Sequence, residues 1–358
     1  MEKREYVGRS SGFNPPNRFE EIKVELPPED LIGYFDVPES KTKIPTKFYA
    51  DLTKSILAKN ESPDVGFTYS LNPYRGCEHG CIYCYARPSH EYLGFSAGVD
   101  FESKILVKHN APQLLREALL KKTWSVETVH LSGDTDCYQP IERKLHLTRD
   151  CLKVFLDLRH PVSVITKNAL IQRDLDILEE LASLNLVCVT ISVTTLDQNL
   201  ARRMEPRTSP PLKRLETIEL LSSRGIPVSV NAAPIIPGLN DVEIPSILKA
   251  ASERGAKGAG YLIVRLPFAV KDLFLDWLKR EMPDKASRIE NRIRSVRDGK
   301  LSTSEFGVRM SVTGQIAETI EQLFNSAVDR NNLNRVRVEL RKDLFVRNSL
   351  QQDLFASH

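Results

Sequence analysis

Short apolar runs rich in β-branched residues alternate with longer amphipathic stretches between about residues 66 and 266. The apolar runs predict six strands, at 67–72, 126–132, 162–166, 186–193, 228–234 and 258–266. The amphipathic stretches predict helices, at 112–122, 147–158, 173–184, 213–225 and near 241–254. Strands that alternate with helices of this length indicate parallel βαβ units.

About six such units fall short of the eight in a complete barrel, and no glycine-rich phosphate fingerprint follows the first strand. We therefore predict a partial, open α/β barrel for residues 66–268. The polar, proline-bearing residues 1–65 are predicted to form an N-terminal arm packed on this core. Residues 269–358 are predicted to form a mainly helical C-terminal extension with a basic tail.

The composition is that of an ordinary globular protein. The 358 residues include 50 Lys and Arg against 47 Asp and Glu, and 41% are hydrophobic. This composition argues against a disordered, fibrous or disulfide-scaffold protein. No apolar run approaches the roughly 20 residues of a membrane span, and the N-terminus shows no apolar core of a secretory signal. We therefore expect a cytoplasmic protein.

Three of the six cysteines, Cys77, Cys81 and Cys84, fall within eight residues, with Gly76 and Gly80 among them. Spacings of four and then three residues with glycines interposed do not suit one face of a regular helix. They predict a loop whose thiolates converge on a soft metal ion or a cluster.

Three kinds of site compete for these thiols. A disulfide framework is disfavoured, because an odd trio in a reducing compartment leaves one thiol over. A zinc ion requires a fourth ligand, for which His79, His90 or Cys137 are candidates. A [4Fe–4S] cluster held by three thiolates leaves one iron open for a substrate or cofactor.

Cys77, Cys81 and Cys84, with Tyr83 in the last gap, resemble the signature of the radical S-adenosylmethionine (SAM) superfamily. Residues 71–108 resemble its spore photoproduct lyase-like branch, often described as DNA repair photolyases. The resemblance implies a [4Fe–4S] cluster on the three cysteines and SAM on its open iron. It implies that one-electron cleavage of SAM gives a 5′-deoxyadenosyl radical, which abstracts a hydrogen from the substrate.

The same resemblance implies SAM contacts at the ends of other strands. Gly133 and Asp134 would meet the methionine amino group, Lys167 the carboxylate, Ser192 the ribose, and Ile236, within 234–238, the adenine. Each of these could equally be a turn or strand residue without a ligand.

Two residues are candidates for direct roles in catalysis. In spore photoproduct lyases a cysteine near the end of the second strand returns a hydrogen atom to the product radical, but the equivalent residue here is Gly133. This departure argues against spore photoproduct as the substrate. The nearby Cys137 is either a hydrogen donor or a buried structural thiol. Tyr83 and Tyr85 flank Cys84 as in those lyases, so Tyr85 is either a radical relay or a packing residue.

The segment after the fourth predicted strand is crowded with charges, including Glu205 and Arg207. A run of charges is usually a solvated face. Because catalytic groups of α/β barrels follow the strand ends, we also expect Glu205 or Arg207 to touch SAM or substrate.

Possible partners come from the C-terminal part of the chain and from the resemblance. Residues 284–300 and 330–347 are rich in Lys and Arg, which indicates either solvated helical faces or a nucleic-acid surface. Gln351–Phe355 resembles the peptide with which bacterial DNA-maintenance proteins dock on the sliding clamp, although chance or tail packing would also explain it. The resemblance implies a flavodoxin or ferredoxin-type electron donor.

The sequence thus supports three hypotheses. The first is a radical SAM enzyme that acts on a nucleic-acid lesion or a modified base. The second is a radical SAM enzyme that acts on RNA, a peptide or a small metabolite. The third is a non-catalytic, zinc-stabilised binding protein.

Overall fold

The structure, a computed structural model, describes residues 6–19, 43–303 and 305–347. The strands within these residues are β1 Lys47–Ala50, β2 Leu57–Lys59, β3 Tyr69–Leu71, β4 Tyr74–Arg75, β5 Lys104–Val107, β6 Val129–Leu131, β7 Val162–Thr166, β8 Val187–Ser192, β9 Val228–Ile235 and β10 Gly258–Ile263. Seven of them form one sheet in the order β10-β9-β8-β7-β6-β3-β2.

Six strands of this sheet run parallel, and β2 pairs antiparallel with β3 at one edge. Within the described residues the two edge strands, β2 and β10, do not pair with each other, so the barrel is open. The predicted partial α/β barrel of six units is confirmed. Each predicted strand overlaps an observed one, and the apolar positions that alternate along β7 (Val162, Val164) are buried as predicted.

The helices are α1 Val99–Ser103, α2 Ala111–Leu120, α3 Glu142–Leu145, α4 Leu147–Asp157, α5 Leu175–Ser183, α6 Gln198–Met204, α7 Pro211–Ser223, α8 Ile244–Ser252, α9 Val270–Glu281, α10 Pro283–Ser295 and α11 Gln315–Arg330. The longer helices between strands, α2, α4, α5, α7 and α8, pack their apolar stripes against the sheet. The five predicted helices match them to within three residues at each end. Helix α6 falls in the charged segment after β8, where no helix is predicted.

A second, three-stranded sheet in the order β1-β5-β4 is absent from the sequence prediction. Its strands are two to four residues long, and every residue of β1 is exposed, so no alternation of apolar and polar positions marks them. Its strand β4 lies between β3 and the cysteine loop in the chain.

The basic segment after α11 is not helical, so the expected helical face is wrong for residues 331–347. Backbone N–H groups of Asn334, Arg341 and Val346 donate to carbonyls in the segments that lead into β10, β8 and β7. Loops that precede parallel strands lie at the N-terminal edge of the sheet, opposite the usual site of catalysis. The segment therefore lies along the N-terminal edge of the sheet, on the side opposite the C-terminal strand ends. Residues Gln351–Phe355, the possible clamp peptide, lie outside the described residues.

None of the helices in the described ranges combines the length and the apolar character that a membrane crossing requires.

Candidate active site

One cavity of about 220 Å³ lies at the C-terminal ends of the parallel strands. Its walls come from the cysteine loop after β3 and from the ends of β6, β7, β8, β9 and β10. This is the face at which α/β barrels carry their active sites.

Cys77, Cys81 and Cys84 all line this cavity, and none of them is in a disulfide. The loop that brings them together depends on two glycines with positive φ, Gly76 (+78°) and Gly80 (+65°). A Cβ at Gly80 would lie 2.7 Å from a carboxylate oxygen of Glu102, so only glycine fits there. The positive φ angles and the close Glu102 contact explain why glycines are needed in this loop.

Arg87 braces the cysteine loop from behind. Its guanidinium is 0% exposed and donates to the carbonyl oxygens of Cys81 (3.0 Å) and Gly80 (3.2 Å) and to the Glu102 carboxylate (2.6 Å). Sequence reasoning did not find this residue, because its ion-pair partner lies 15 positions away in another element. No local pattern marks a buried Arg of this kind.

The Glu102 carboxylate also ties residues 6–19 to the site. The hydroxyl and backbone N–H of Ser11 donate to it (2.7 and 3.1 Å), and the backbone N–H of Ser10 donates from 3.2 Å. A buried carboxylate with this many donors and a guanidinium is fully compensated. The N-terminal segment therefore supports the loop that carries the thiols.

The three thiols suit an iron–sulfur cluster in their chemistry. Burial raises the pKa of each, although backbone N–H groups of Asp136 and Ala86 donate to Cys77 and Cys84 and oppose that rise. A bound cation reverses such a shift, and N–H donors to ligating sulfurs tune the potential of iron–sulfur clusters.

The geometry does not support a zinc site. In the described part of the chain, no three His, Cys, Asp or Glu side chains are placed to hold a single metal ion. The Nε2 atom of His90 lies 2.9 Å from the carbonyl oxygen of Lys104, and Cys137 is buried in the main core. His79 lines the cavity, but its ring lies between Asn168 and Asp136.

Lys167 lines the cavity, and its ammonium already has partners in the protein. It donates to Thr194 Oγ1 (3.1 Å) and the Ala233 carbonyl (2.9 Å) and lies 3.4 Å from Glu205. Burial and the nearby Arg214 lower the pKa of Lys167 to about 8.

Glu205 lies behind the cavity wall and does not line the cavity, so the expected contact with SAM or substrate is wrong for it. Its carboxylate is 2% exposed and accepts hydrogen bonds from Tyr83, Thr194 and Arg214. These partners hold Glu205 in place. The Tyr83 ring lines the cavity as predicted, with its hydroxyl anchored on Glu205.

Arg207 also lies off the cavity, and the same expectation is wrong for it. Its guanidinium donates to Glu78 (3.3 Å) and Thr46 (3.2 Å), and its backbone N–H donates to the His79 carbonyl. Helix α6 lies between the end of β8 and the residues Glu205 and Arg207, and the side chains of these two residues pair within the protein and do not line the cavity.

The turn after β6 forms one rim of the cavity. Ser132 and Gly133 have positive φ (98° and 124°), which turns the backbone sharply toward the cavity. The Tyr85 hydroxyl donates to the Gly133 carbonyl, and the Arg265 guanidinium lies 5.0 Å from the centre of the Tyr85 ring. Gly133, Asp134 and Tyr85 therefore lie together at this rim.

Some of the predicted site residues line the cavity, and others do not. Ser192, at the end of β8, lines it as predicted. Cys137 is 0% exposed and packed in the core beneath the β6 turn, and Ile236 is buried in a separate apolar cluster, so the structure places neither at the cavity. The β9 residues that do line it are Asn231, Ala233 and Pro234.

Asn231 and Arg265 line the cavity and were missed by the sequence analysis. A signal for Asn231 exists, because it is a polar residue within an apolar parallel strand. Arg265 follows the last strand, where the strand-end rule points to a functional group.

Comparison with known proteins identifies the family. The model of the radical SAM superfamily matches residues 71–251, which contain the three thiols and most of the cavity wall. This chain belongs to the radical SAM superfamily. It is therefore an enzyme, of a family that uses SAM and an iron–sulfur cluster.

The similar proteins extend this result. An uncharacterised protein of Mycobacterium tuberculosis is 35% identical over 252 residues, which cover 69% of this chain and 74% of that protein. One from Methanocaldococcus jannaschii is 33% identical over 178 residues, covering 50% of this chain and 64% of that protein. A mutant of spore photoproduct lyase has the same fold, with a TM-score of 0.58 at 14% identity over 82% of this chain and 80% of that one. A complex of that lyase with AdoMet and dinucleoside spore photoproduct gives a TM-score of 0.55 at 13% identity, with the same coverage.

Proposed function

We propose that this enzyme holds a [4Fe–4S] cluster on Cys77, Cys81 and Cys84 and binds SAM in the adjoining cavity. It would abstract a hydrogen from a substrate that we propose to be a nucleic-acid lesion or a modified base. The observation that carries the proposal is the placement of three unpaired thiols, Cys77 and Cys81 buried and Cys84 partly buried, in the wall of a cavity at the ends of the parallel strands.

When bound, the cluster supplies one electron to SAM, whose cleavage yields methionine and the radical that takes the hydrogen. The protein supplies position and exclusion of water. Tyr83 gives the cavity an aromatic wall next to the thiols, and Lys167 gives it a cation whose position is set by Thr194 and Glu205.

The polar groups around the cavity suggest how SAM would be oriented. Gly133 and Asp134 lie on the β6 side, Ser192 at the end of β8, and Lys167 between them at the end of β7. We propose that these residues meet the methionine and ribose parts of SAM. We propose that Pro234, which lies in the same segment 234–238 and lines the cavity, takes the place that we expected for Ile236.

Tyr85 is better placed than Cys137 for a radical relay. It lies at the rim with its hydroxyl on Gly133, whereas Cys137 has no access to the cavity. Tyr85 and Arg265 together present an aromatic ring and a cation at the mouth, the combination that binds exposed nucleic-acid bases. This pair favours a nucleic-acid substrate over a peptide.

We further propose a flavodoxin or ferredoxin-type electron donor and a cytoplasmic location. All six cysteines are free thiols, which suits a reducing compartment.

The cluster assignment is tested by anaerobic reconstitution with iron and sulfide, followed by measurement of both per chain. Cys81→Ser should lose most of the bound iron, whereas Cys188→Ser, a matched change on β8 outside the cavity, should keep it. Equal iron in the two variants, or zinc in the purified protein, would refute the assignment.

A further inference from the structure

A second pocket of about 420 Å³ opens beside the SAM cavity. The two share Asp134 and Thr135, in the turn after β6, as a common wall. The other walls of this side pocket come from β2, from the ends of β3 and β5, and from the 3₁₀ helix Arg87–Leu93. A substrate that reacts in the SAM cavity could therefore extend across Asp134 into the side pocket.

Lys108 lines the side pocket and is only 8% exposed. In the described part of the chain its ammonium has no hydrogen bond and no ion pair. Burial and then the nearby Arg75 lower the pKa of Lys108, and the Asp51 and Asp134 carboxylates oppose that shift. An ammonium that borders a pocket without a hydrogen-bond partner is placed to bind an anionic ligand that is not part of the protein.

Other donors face the same space. Arg75 contacts Asp51 through Nε (2.9 Å), and its two terminal nitrogens have no partner within the described ranges. The Ser89 hydroxyl is likewise free there. Arg75 neutralises Asp51, and Asp134 lies at the boundary with the SAM cavity, so the Lys108 charge is left without a partner at contact distance. Tetrahedral oxyanions such as phosphate suit a lysine beside the fork of an arginine.

An aromatic ring stands next to these donors. Tyr92 lines the side pocket, is 72% exposed, and packs against Phe19 with 4.8 Å between ring centres. Exposed aromatic rings beside a basic groove are the usual platform for stacked bases. A phosphate donor set with an adjacent ring fits a nucleotide unit better than an isolated carboxylate.

We propose that the side pocket binds a phosphate group of a nucleotide-containing substrate, with Lys108 as its principal cation, while the reacting part lies in the SAM cavity. This inference rests on the proposed function and names its substrate class. The phosphate belongs either to a nucleic-acid strand or to a free nucleotide.

The test measures binding by the full-length, cluster-reconstituted protein with SAM. The probes are a fluorescein-labelled single-stranded oligonucleotide, a nucleoside 5′-monophosphate, inorganic phosphate and the unphosphorylated nucleoside. The variants are Lys108→Met, Lys108→Arg and the control Lys121→Met, which removes an exposed lysine at the far end of α2. Thermal unfolding of each variant checks that it is folded.

We expect Lys108→Met to weaken binding of the phosphorylated probe by about tenfold or more, the size of one lost hydrogen bond to a charged group. Lys108→Arg should stay within about threefold of the unmodified protein, since it keeps the cation. For an oligonucleotide, Lys108→Met should also reduce the steepness of log Kd against log salt by about 0.7, the value for one phosphate on a single strand. The nucleoside should show no dependence on Lys108.

Dependence on Lys108 with the oligonucleotide alone identifies a strand as the source of the phosphate, and dependence with the monophosphate identifies a free nucleotide. If Lys108→Met binds every phosphorylated probe as tightly as Lys121→Met does, the inference is overturned. Iron content and deoxyadenosine formation without substrate are measured on the same samples. If these are normal, failure concerns the side pocket alone, whereas a protein without cluster or SAM cleavage contradicts the proposed function itself.

Discussion

Replacing Arg87 by methionine should destabilise the protein and impair cluster binding together. Arg87 has no exposed surface and donates to carbonyls of the cysteine loop and of Ala97 and Gly98, all between 3.0 and 3.2 Å. The substitution leaves the Glu102 carboxylate buried without its cation. Removal of one partner from a buried ion pair costs about 3–5 kcal/mol. The free energy of unfolding should fall by that amount.

The assay is anaerobic urea unfolding of the full chain, followed by iron analysis after reconstitution. Arg87→Lys keeps the charge but loses the planar fork that reaches several carbonyls, so it should cost less, about 1–3 kcal/mol. Adding Glu102→Leu to Arg87→Met should recover part of the loss, because the uncompensated charge is then removed.

Arg116→Met is the matched control, since Arg116 forms an exposed ion pair with Asp157. It should change the free energy of unfolding by less than about 1 kcal/mol. If Arg87→Met lies as close to the unmodified protein as this control, and binds full iron, then Arg87 does not brace the loop and the reasoning is refuted.

Three further changes probe the site and the core. Glu205→Gln leaves Arg214 without its counter-ion and should cost about 3–5 kcal/mol in urea unfolding. Gly80→Ala forces a Cβ against a carboxylate at positive φ, so it should lower both stability, by at least about 1 kcal/mol, and iron content. Burial lowers the pKa of His160 to about 4, and Trp124 donates to its Nε2. Between about pH 6.5 and 4 the unfolded chain therefore binds a proton that the folded chain does not, and stability should fall as the pH falls through this window. His160→Gln should reduce that loss by up to about 3 kcal/mol.

Each of these has a contradicting result, and the first two have a matched control. Glu216→Gln, an exposed change on α7, should be nearly neutral, and equal costs at positions 205 and 216 would contradict a buried counter-ion role. Gly94→Ala has the same positive φ with open space around it, so it should cost less than Gly80→Ala; equal losses would show that the carboxylate contact is irrelevant. An unchanged pH slope in His160→Gln would show that another group controls acid stability.

The fold of the core was predictable because its signals are local. Alternating apolar strands such as 162–166 and amphipathic helices such as 147–158 each carry their own pattern, and right-handed βαβ connection then fixes the sheet. The small sheet was not predictable, since the exposed strand Lys47–Ala50 pairs with Lys104–Val107, a short segment far away in sequence.

The site residues were predictable only where their place at the end of a strand, or in the cysteine loop, puts them at the cavity. The three thiols and the strand-end residues Gly133, Lys167 and Ser192 line the cavity as the strand order implies. Glu205 follows a strand end too, but helix α6 and the buried Arg214 draw it behind the wall. Ion pairs between buried side chains that are far apart in sequence produce no periodic or compositional pattern. They could therefore not be predicted from the sequence.

The central claim is that the thiol loop holds a cluster that responds to SAM. The most direct measurement is the EPR spectrum of the dithionite-reduced, reconstituted protein with and without SAM, combined with an assay for 5′-deoxyadenosine and with Cys84→Ala as the control. The account predicts a cluster signal that SAM perturbs, and deoxyadenosine formed only by the unmodified protein. A cluster indifferent to SAM, or zinc in place of iron, would contradict it.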